Sequence, residues 1–192
     1  MVKRFGKKEG AELGEAYNKV LNWFFDFPDR EMSLNDLSDQ LEISKTTANR
    51  IVSQLKDENF LNVEILGKVW RITCNKFHLY NFTRKIPTHL IGIYESGIIE
   101  EIHKIIPNPK AVILFGSYRK GDDGERSDID IAVEVFGNEE IKIETLGVLN
   151  QLGYRKNILV NLHIFSRNKV DINLFSNIAN GIVLEGFLEV RP

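Results

Sequence analysis

The segment that most constrains this chain is Asp128-Ile129-Asp130-Ile131-Ala132-Val133-Glu134-Val135, where apolar residues recur with period two. Side chains alternate across a strand, so Ile129, Ile131, Val133 and Val135 belong on one face and Asp128 and Asp130 on the other. Asp is disfavoured in strands, and two close carboxylates repel each other. Both stay ionised only with a cation between them, and hard carboxylate oxygens suit a divalent ion such as Mg²⁺ or Mn²⁺. Upstream, Ala111-Val112-Ile113-Leu114-Phe115 is a short continuous apolar run, the pattern of a buried strand, and it leads straight into Gly116-Ser117. Gly116 lets backbone approach a ligand closely, and Ser117 offers a hydroxyl and an amide to phosphate oxygens. A phosphate site and a metal site thus adjoin at one end of a sheet, an arrangement suited to in-line transfer of a nucleotidyl group. The bland alternative is a glycine turn beside an exposed acidic edge strand, with Tyr118 to Ser127 as a loop between them.

Phe115-Gly116-Ser117, ten intervening residues and then Asp128-Ile129-Asp130 resemble the signature of the polymerase-beta-like nucleotidyltransferase superfamily. Ser127-Asp128-Ile129-Asp130-Ile131-Ala132 and the small domain are similar to its minimal prokaryotic members. The resemblance covers about residues 84–192. It implies an α/β (α+β) domain with a mixed sheet flanked by helices, an NTP such as ATP as donor, and Mg²⁺ or Mn²⁺ as cofactor. Carried over, Gly116 and Ser117 hold the triphosphate, and Asp128 and Asp130 hold metal. The superfamily usually adds a third acidic residue on a later strand. Here the matching stretch runs from Ile158 to Phe165, with Ile158, Val160, Leu162 and Ile164 on one face and Asn161 and His163 on the other. Asn161 therefore takes the third carboxylate's place among the catalytic positions. An amide oxygen can ligate Mg²⁺, but it is neutral and takes no proton. His163 is a candidate base or a half-buried structural side chain. Asp171, the next acid, begins a helix with Leu174, Phe175 and Ile178.

The first half reads differently. Leu13, Ala16, Tyr17, Val20, Leu21 and Phe24 form the stripe of an amphipathic helix, which Pro28 and Asp29 end. A short helix follows over Leu34 to Leu41, capped by Ser33 or Asn35. After a tight turn at Glu42-Ile43-Ser44, Ser44 caps a third helix from Lys45 to Glu58. Its apolar face is Ala48, Ile51, Val52 and Leu55, which leaves Lys45, Thr46, Asn49 and Arg50 outward near its N-terminal end. Leu61 to Leu66 and Val69 to Thr73 then form a hairpin about Gly67-Lys68. Leu34-Asn35-Asp36-Leu37-Ser38, Ile43-Ser44-Lys45-Thr46-Thr47-Ala48 and Phe60-Leu61 resemble the winged helix-turn-helix domains of prokaryotic transcription regulators. That resemblance implies double-stranded DNA as partner, with Lys45, Thr46, Asn49 and Arg50 in the major groove and Lys68 and Arg71 on phosphate or minor groove. The same unit could instead serve only as a dimerisation module.

The domains expected are therefore residues 1–75 and 84–192, joined by Asn75 to Lys85, with Ile91 to Ile106 as one helix after Pro87. Charge divides the same way: 14 Lys/Arg against 12 Asp/Glu in residues 1–85, and 11 against 15 in residues 86–192. The first half is the more basic, the direction nucleic-acid contact favours. A lone cysteine, Cys74, excludes an intrachain disulfide or a cysteine zinc cluster. No stretch has the length of a membrane span or signal peptide, so a cytoplasmic protein with no membrane contact is expected.

Three functions compete. One is an enzyme that moves a nucleotide such as AMP from NTP to an acceptor, with protein as the expected acceptor. Another is a nucleotide-responsive transcription regulator. The third, implied by the resemblance, is an antitoxin that neutralises a HEPN-domain partner. Asn161 favours a catalytically weakened site; the intact Gly116, Ser117, Asp128 and Asp130 favour transfer. A second copy of the chain is a further candidate partner.

Overall fold

The computed structural model describes residues 14–67 and 69–190. Lys68 and Leu13 lie outside the described residues. The chain divides into two compact units: residues up to Phe24 with Arg30–Asn75, and Phe25–Asp29 with the chain from Lys76 onward. No helix among the described residues is long and apolar enough to cross a membrane.

The first unit has three helices, α1 (Glu15–Asp26, its last two residues grouping with the second unit), α2 (Leu34–Gln40) and α3 (Lys45–Asp57), then a hairpin of β1 (Leu61–Leu66) and β2 (Val69–Cys74). Each short helix starts where a serine satisfies an orphan amide. Ser33 accepts from Asp36 N and Ser44 from Thr47 N, both at 3.1 Å, caps that stabilise a helix by about 1 kcal/mol each. Tyr17, Val20, Leu21 and Phe24 of α1, Leu37 of α2, and Ala48, Ile51, Val52 and Leu55 of α3 are all buried. The hairpin turns at Gly67, whose φ of 64° is left-handed backbone that glycine adopts without strain.

The second unit has helices α4 (Ile86–Glu95), α5 (Ile98–Ile105), α6 (Gly116–Lys120) and α7 (Ile172–Ala179), with strands β3 (Ala111–Phe115), β4 (Ile129–Glu134), β5 (Lys142–Leu152), β6 (Arg155–Phe165) and β7 (Ile182–Gly186). The five strands form one sheet in the order β5-β6-β4-β3-β7. β4 and β6 are parallel and the other pairs antiparallel, so the sheet is mixed. Opposite β6, β5 carries a bulge between Thr145 and Gly147. One face buries Val112, Leu114, Ile129, Ile131, Val133, Ile158, Val160 and Leu162 against Ile93, Ile98 and Ile102 of α4 and α5. The other buries Ala111, Ile113, Phe115, Ala132 and Phe165 against α7 through Ile178, Leu174 and Phe175.

Four details depart from the sequence reading. The single helix expected through Ile106 is two, because Gly97 at φ 80° breaks it while the apolar spacing continues beyond. The expected connection contains a π-helical segment, Asn81–Lys85, whose Asn81 and Lys85 are buried. The expected loop from Tyr118 begins as helix α6, and Tyr118 is buried. Finally, Asp128, expected on the strand, precedes β4; the strand itself is central, which sets aside the exposed edge strand of the bland alternative.

Candidate nucleotide and metal site

Strand register builds the site. Phe115 pairs with Asp130 across β3–β4, and Asp130 pairs with Asn161 across β4–β6, which puts three residues abreast. Ala132 pairs with His163 one pleat further along. All these positions share the parity of the face that α7 covers. The Phe115 and His163 rings meet edge to face, their centroids 4.9 Å apart. The sequence-predicted Asp130, Asn161 and His163 are thus brought together. Asn161 Nδ2 donates to Asp130 Oδ1 at 3.3 Å, and His163 Nε2 lies 3.5 Å from the same oxygen.

Gly116 sits directly over this carboxylate. Its φ is 73°, and a Cβ added there would come within 2.7 Å of Asp130 Oδ2. The glycine is required twice, by backbone conformation and by the approach of Asp130. α6 starts at Gly116, so the first amides of the helix, Ser117's among them, lack intrahelical partners. Asp128 is exposed, and neither a hydrogen bond nor an ion pair engages it among the described residues. Asp130 is 30% exposed, and no Lys or Arg pairs with it.

Among the described residues no group of three or more His, Cys, Asp or Glu could hold a metal ion. Two carboxylates alone make a poor cage for a bare ion. They suit an ion that arrives with phosphates, since Mg²⁺ is commonly held by one or two carboxylates together with substrate phosphate oxygens. Asp128 and Asp130, with the Gly116 backbone close against Asp130, fit that arrangement. Asn161 presents its NH₂ to Asp130, so in this geometry it satisfies a carboxylate where a third acid would have added charge.

Residues 98–185 match the family model of the polymerase beta nucleotidyltransferases. The matched stretch holds Gly116, Ser117, Asp128, Asp130 and Asn161, and the mixed sheet with helices on both faces fits a nucleotidyltransferase domain. No curated protein matches the chain.

The second unit also contains a buried ionic cluster with no motif in the sequence. Lys85 Nζ donates to the carbonyl of Asp123 and lies 3.3 Å from its carboxylate. His89 lies 3.2 Å from both Asp123 and Asp26, and Asp26 accepts from Tyr154 N at 2.7 Å. Arg155 donates to the carbonyl of Ser127 and, at 2.5 Å, to the hydroxyl of Tyr118. Burial alone would push the His89 pKa down; hydrogen bonds and charges from Asp123 and Asp26 outweigh it and raise the pKa. Burial likewise pushes Asp123 up, but His89 and Lys85 hold its carboxyl below the ordinary value. Burial drives the Tyr118 hydroxyl above the usual phenol range, so it stays a neutral donor and acceptor. Only Asp26 and His89 carried a signal in the sequence, as polar side chains beside apolar runs; Asp123 and Arg155 lie in polar stretches that gave none.

In the first unit, Lys45, Thr46, Asn49 and Arg50 are exposed together on α3. Arg71 is differently placed. Its guanidinium is bonded to Glu31 and lies 3.4 Å from Glu64, and the Arg71 hydrogen bond lowers the Glu31 pKa. Its charge is already engaged within the hairpin region.

Proposed function

We propose that the chain is a nucleotidyltransferase that takes an NTP, with ATP the favoured donor, together with Mg²⁺ or Mn²⁺, and transfers its nucleotidyl group to a protein acceptor. The observation that carries this reading is the close approach of Gly116 to Asp130, which brings the start of α6 beside two carboxylates that no Lys or Arg among the described residues neutralises. Asp128 and Asp130 would hold the ion, which neutralises phosphate charge when bound. Gly116 and Ser117 would hold the phosphates. The small domain leaves little room to enclose a tRNA or an antibiotic, which favours a protein acceptor. The first unit is read as a winged helix-turn-helix that binds double-stranded DNA through Lys45, Thr46, Asn49 and Arg50.

Labelled ATP incubated with the purified chain, either ion and cell lysate tests transfer. The expected result is a labelled protein band that disappears with Asp130→Ala. No band from any of the four NTPs with either ion overturns transfer.

A second reading is supported by Asn161, whose neutral amide cannot serve as a base: a nucleotide-responsive regulator, or an antitoxin for a HEPN-domain protein, with weak transfer. Asn161→Asp separates the two readings. A rise in the labelling rate of about tenfold (~1.4 kcal/mol of barrier) supports a weakened transferase. Unlabelled acceptor with both proteins, alongside DNA affinity that changes with ATP, supports the regulator.

A further inference from the structure

The ten residues from Tyr118 to Ser127 separate the phosphate-holding Gly116-Ser117 from the metal-holding Asp128 and Asp130. A segment containing Gly121, Asp122, Asp123 and Gly124 has little intrinsic stiffness. Productive binding of a metal nucleotide needs its two ends at fixed separation, because the ion must touch carboxylate and phosphate together.

Arg155 meets both ends. Its Nη1 donates to the Tyr118 hydroxyl, one residue beyond Ser117, and its Nη2 donates to the Ser127 carbonyl, in the peptide unit that leads into Asp128. The side chain is 4% exposed and rises from the first residue of β6, a strand that pairs with β5 from Arg155 onward and with β4 over residues 160–165. Lysine, with a single ammonium, could not span the same two acceptors in a fixed plane. The middle of the segment is pinned as well, through Lys85 on the Asp123 carbonyl and His89 on its carboxylate. The cluster closes on itself: Tyr154 N to Asp26, Asp26 to His89, His89 to Asp123, and Asp123 to Arg155 at 3.8 Å.

We propose that Arg155 is a positioning residue that sets the distance between the phosphate end and the metal end of the site, and so couples the binding of metal to that of nucleotide. The proposal rests on the nucleotide-site reading above. It predicts a specific defect. Without the guanidinium fork, each end can still meet its own ligand, but the two no longer reinforce each other.

The test is calorimetric titration of ATP into the full chain, with and without Mg²⁺, for the wild type, Arg155→Lys and Tyr118→Phe, with thermal melting of each. The readout is the ratio of ATP Kd without metal to that with metal, which a fall in folded fraction alone does not change. The wild-type ratio should be about tenfold or more. In Arg155→Lys it should fall towards one, with metal-free affinity kept within about twofold. Tyr118→Phe removes one arm of the fork without adding volume, and should give an intermediate ratio. Wild-type ratios in both variants would overturn the role of Arg155 while leaving the nucleotide site standing. A wild-type chain whose ATP affinity ignores Mg²⁺ would instead remove the site itself, and the role of Arg155 with it.

Discussion

β4 carries a carboxylate near each end, and the two are treated in opposite ways. Glu134 is 1% exposed and is met by Lys110 at 2.9 Å and Arg167 at 3.1 Å, with Arg167 also held by Glu189 at 2.9 Å. Asp130, four residues earlier, is 30% exposed, and its side-chain polar neighbours among the described residues are the neutral amide of Asn161 and the ring of His163. A buried charge must be paired, so Glu134 explains itself as structure. Among the described residues no Lys or Arg pairs with Asp130 or Asp128. The first unit repeats the contrast with the sign reversed. Arg71 is tied to Glu31 and Glu64, whereas Arg50 has no acidic partner among the described residues. Each pair thus has one member whose charge the described residues leave uncompensated.

The largest effect is expected at Glu134. Glu134→Gln leaves two cations facing a neutral amide and should destabilise the second unit by about 3 kcal/mol, read from urea unfolding. A loss below ~1 kcal/mol would mean that the cluster adds nothing. Asp130→Ala should do the reverse, with stability within about 0.5 kcal/mol of wild type but a drop of about tenfold (~1.4 kcal/mol) in ATP affinity measured with Mg²⁺. Equal ATP affinity for wild type and variant, with and without the ion, would show that Asp130 is not a metal ligand.

A gentler probe is pH. The folded pKa of His89 is raised, so its contribution to stability is complete below the unfolded imidazole value of about 6.5 and is lost as pH rises through the folded value. Unfolding of the wild type should therefore become easier across that window, and His89→Gln should flatten the trend. An unchanged slope in the variant would assign the effect elsewhere. The smallest effect is expected on DNA. Arg50→Ala should lower the salt slope of binding to a selected duplex by about one unit, and Arg71→Ala by less. Equal losses would show that engagement by Glu31 does not matter.

Much of this arrangement could be read from the chain because it obeys short periods. Period two placed Asp130 and Asn161 correctly on their strands, and the apolar run 111–115 is a fully buried strand. Ser44 and the face of Ala48, Ile51, Val52 and Leu55 gave α3 its start and its buried side. The Glu134 cluster and the cluster around Arg155 could not be read so, because their members come from separate elements and meet only once the sheet has formed. Helix α6 was hidden by a composition of Gly, Arg, Lys and Asp that fits a loop; the buried ring of Tyr118 holds it in place. The break at Gly97 was missed because apolar spacing runs on across it, although the glycine itself was visible.

The row of Phe115, Asp130 and Asn161 has a consequence for how such a gene tolerates insertions and deletions. Removing one residue inside β6 before Asn161 would bring Val160 or Leu162 into the row and turn Asn161 towards the opposite core, because a single slip exchanges the two faces of a strand. The neighbouring edge strand is under no such discipline. Its bulge accommodates Leu146 as an extra residue opposite the Val160–Asn161 step, and the pairing recovers on both sides. Length changes should therefore accumulate in β5 and in the segment between β4 and β5, while β6 keeps its count.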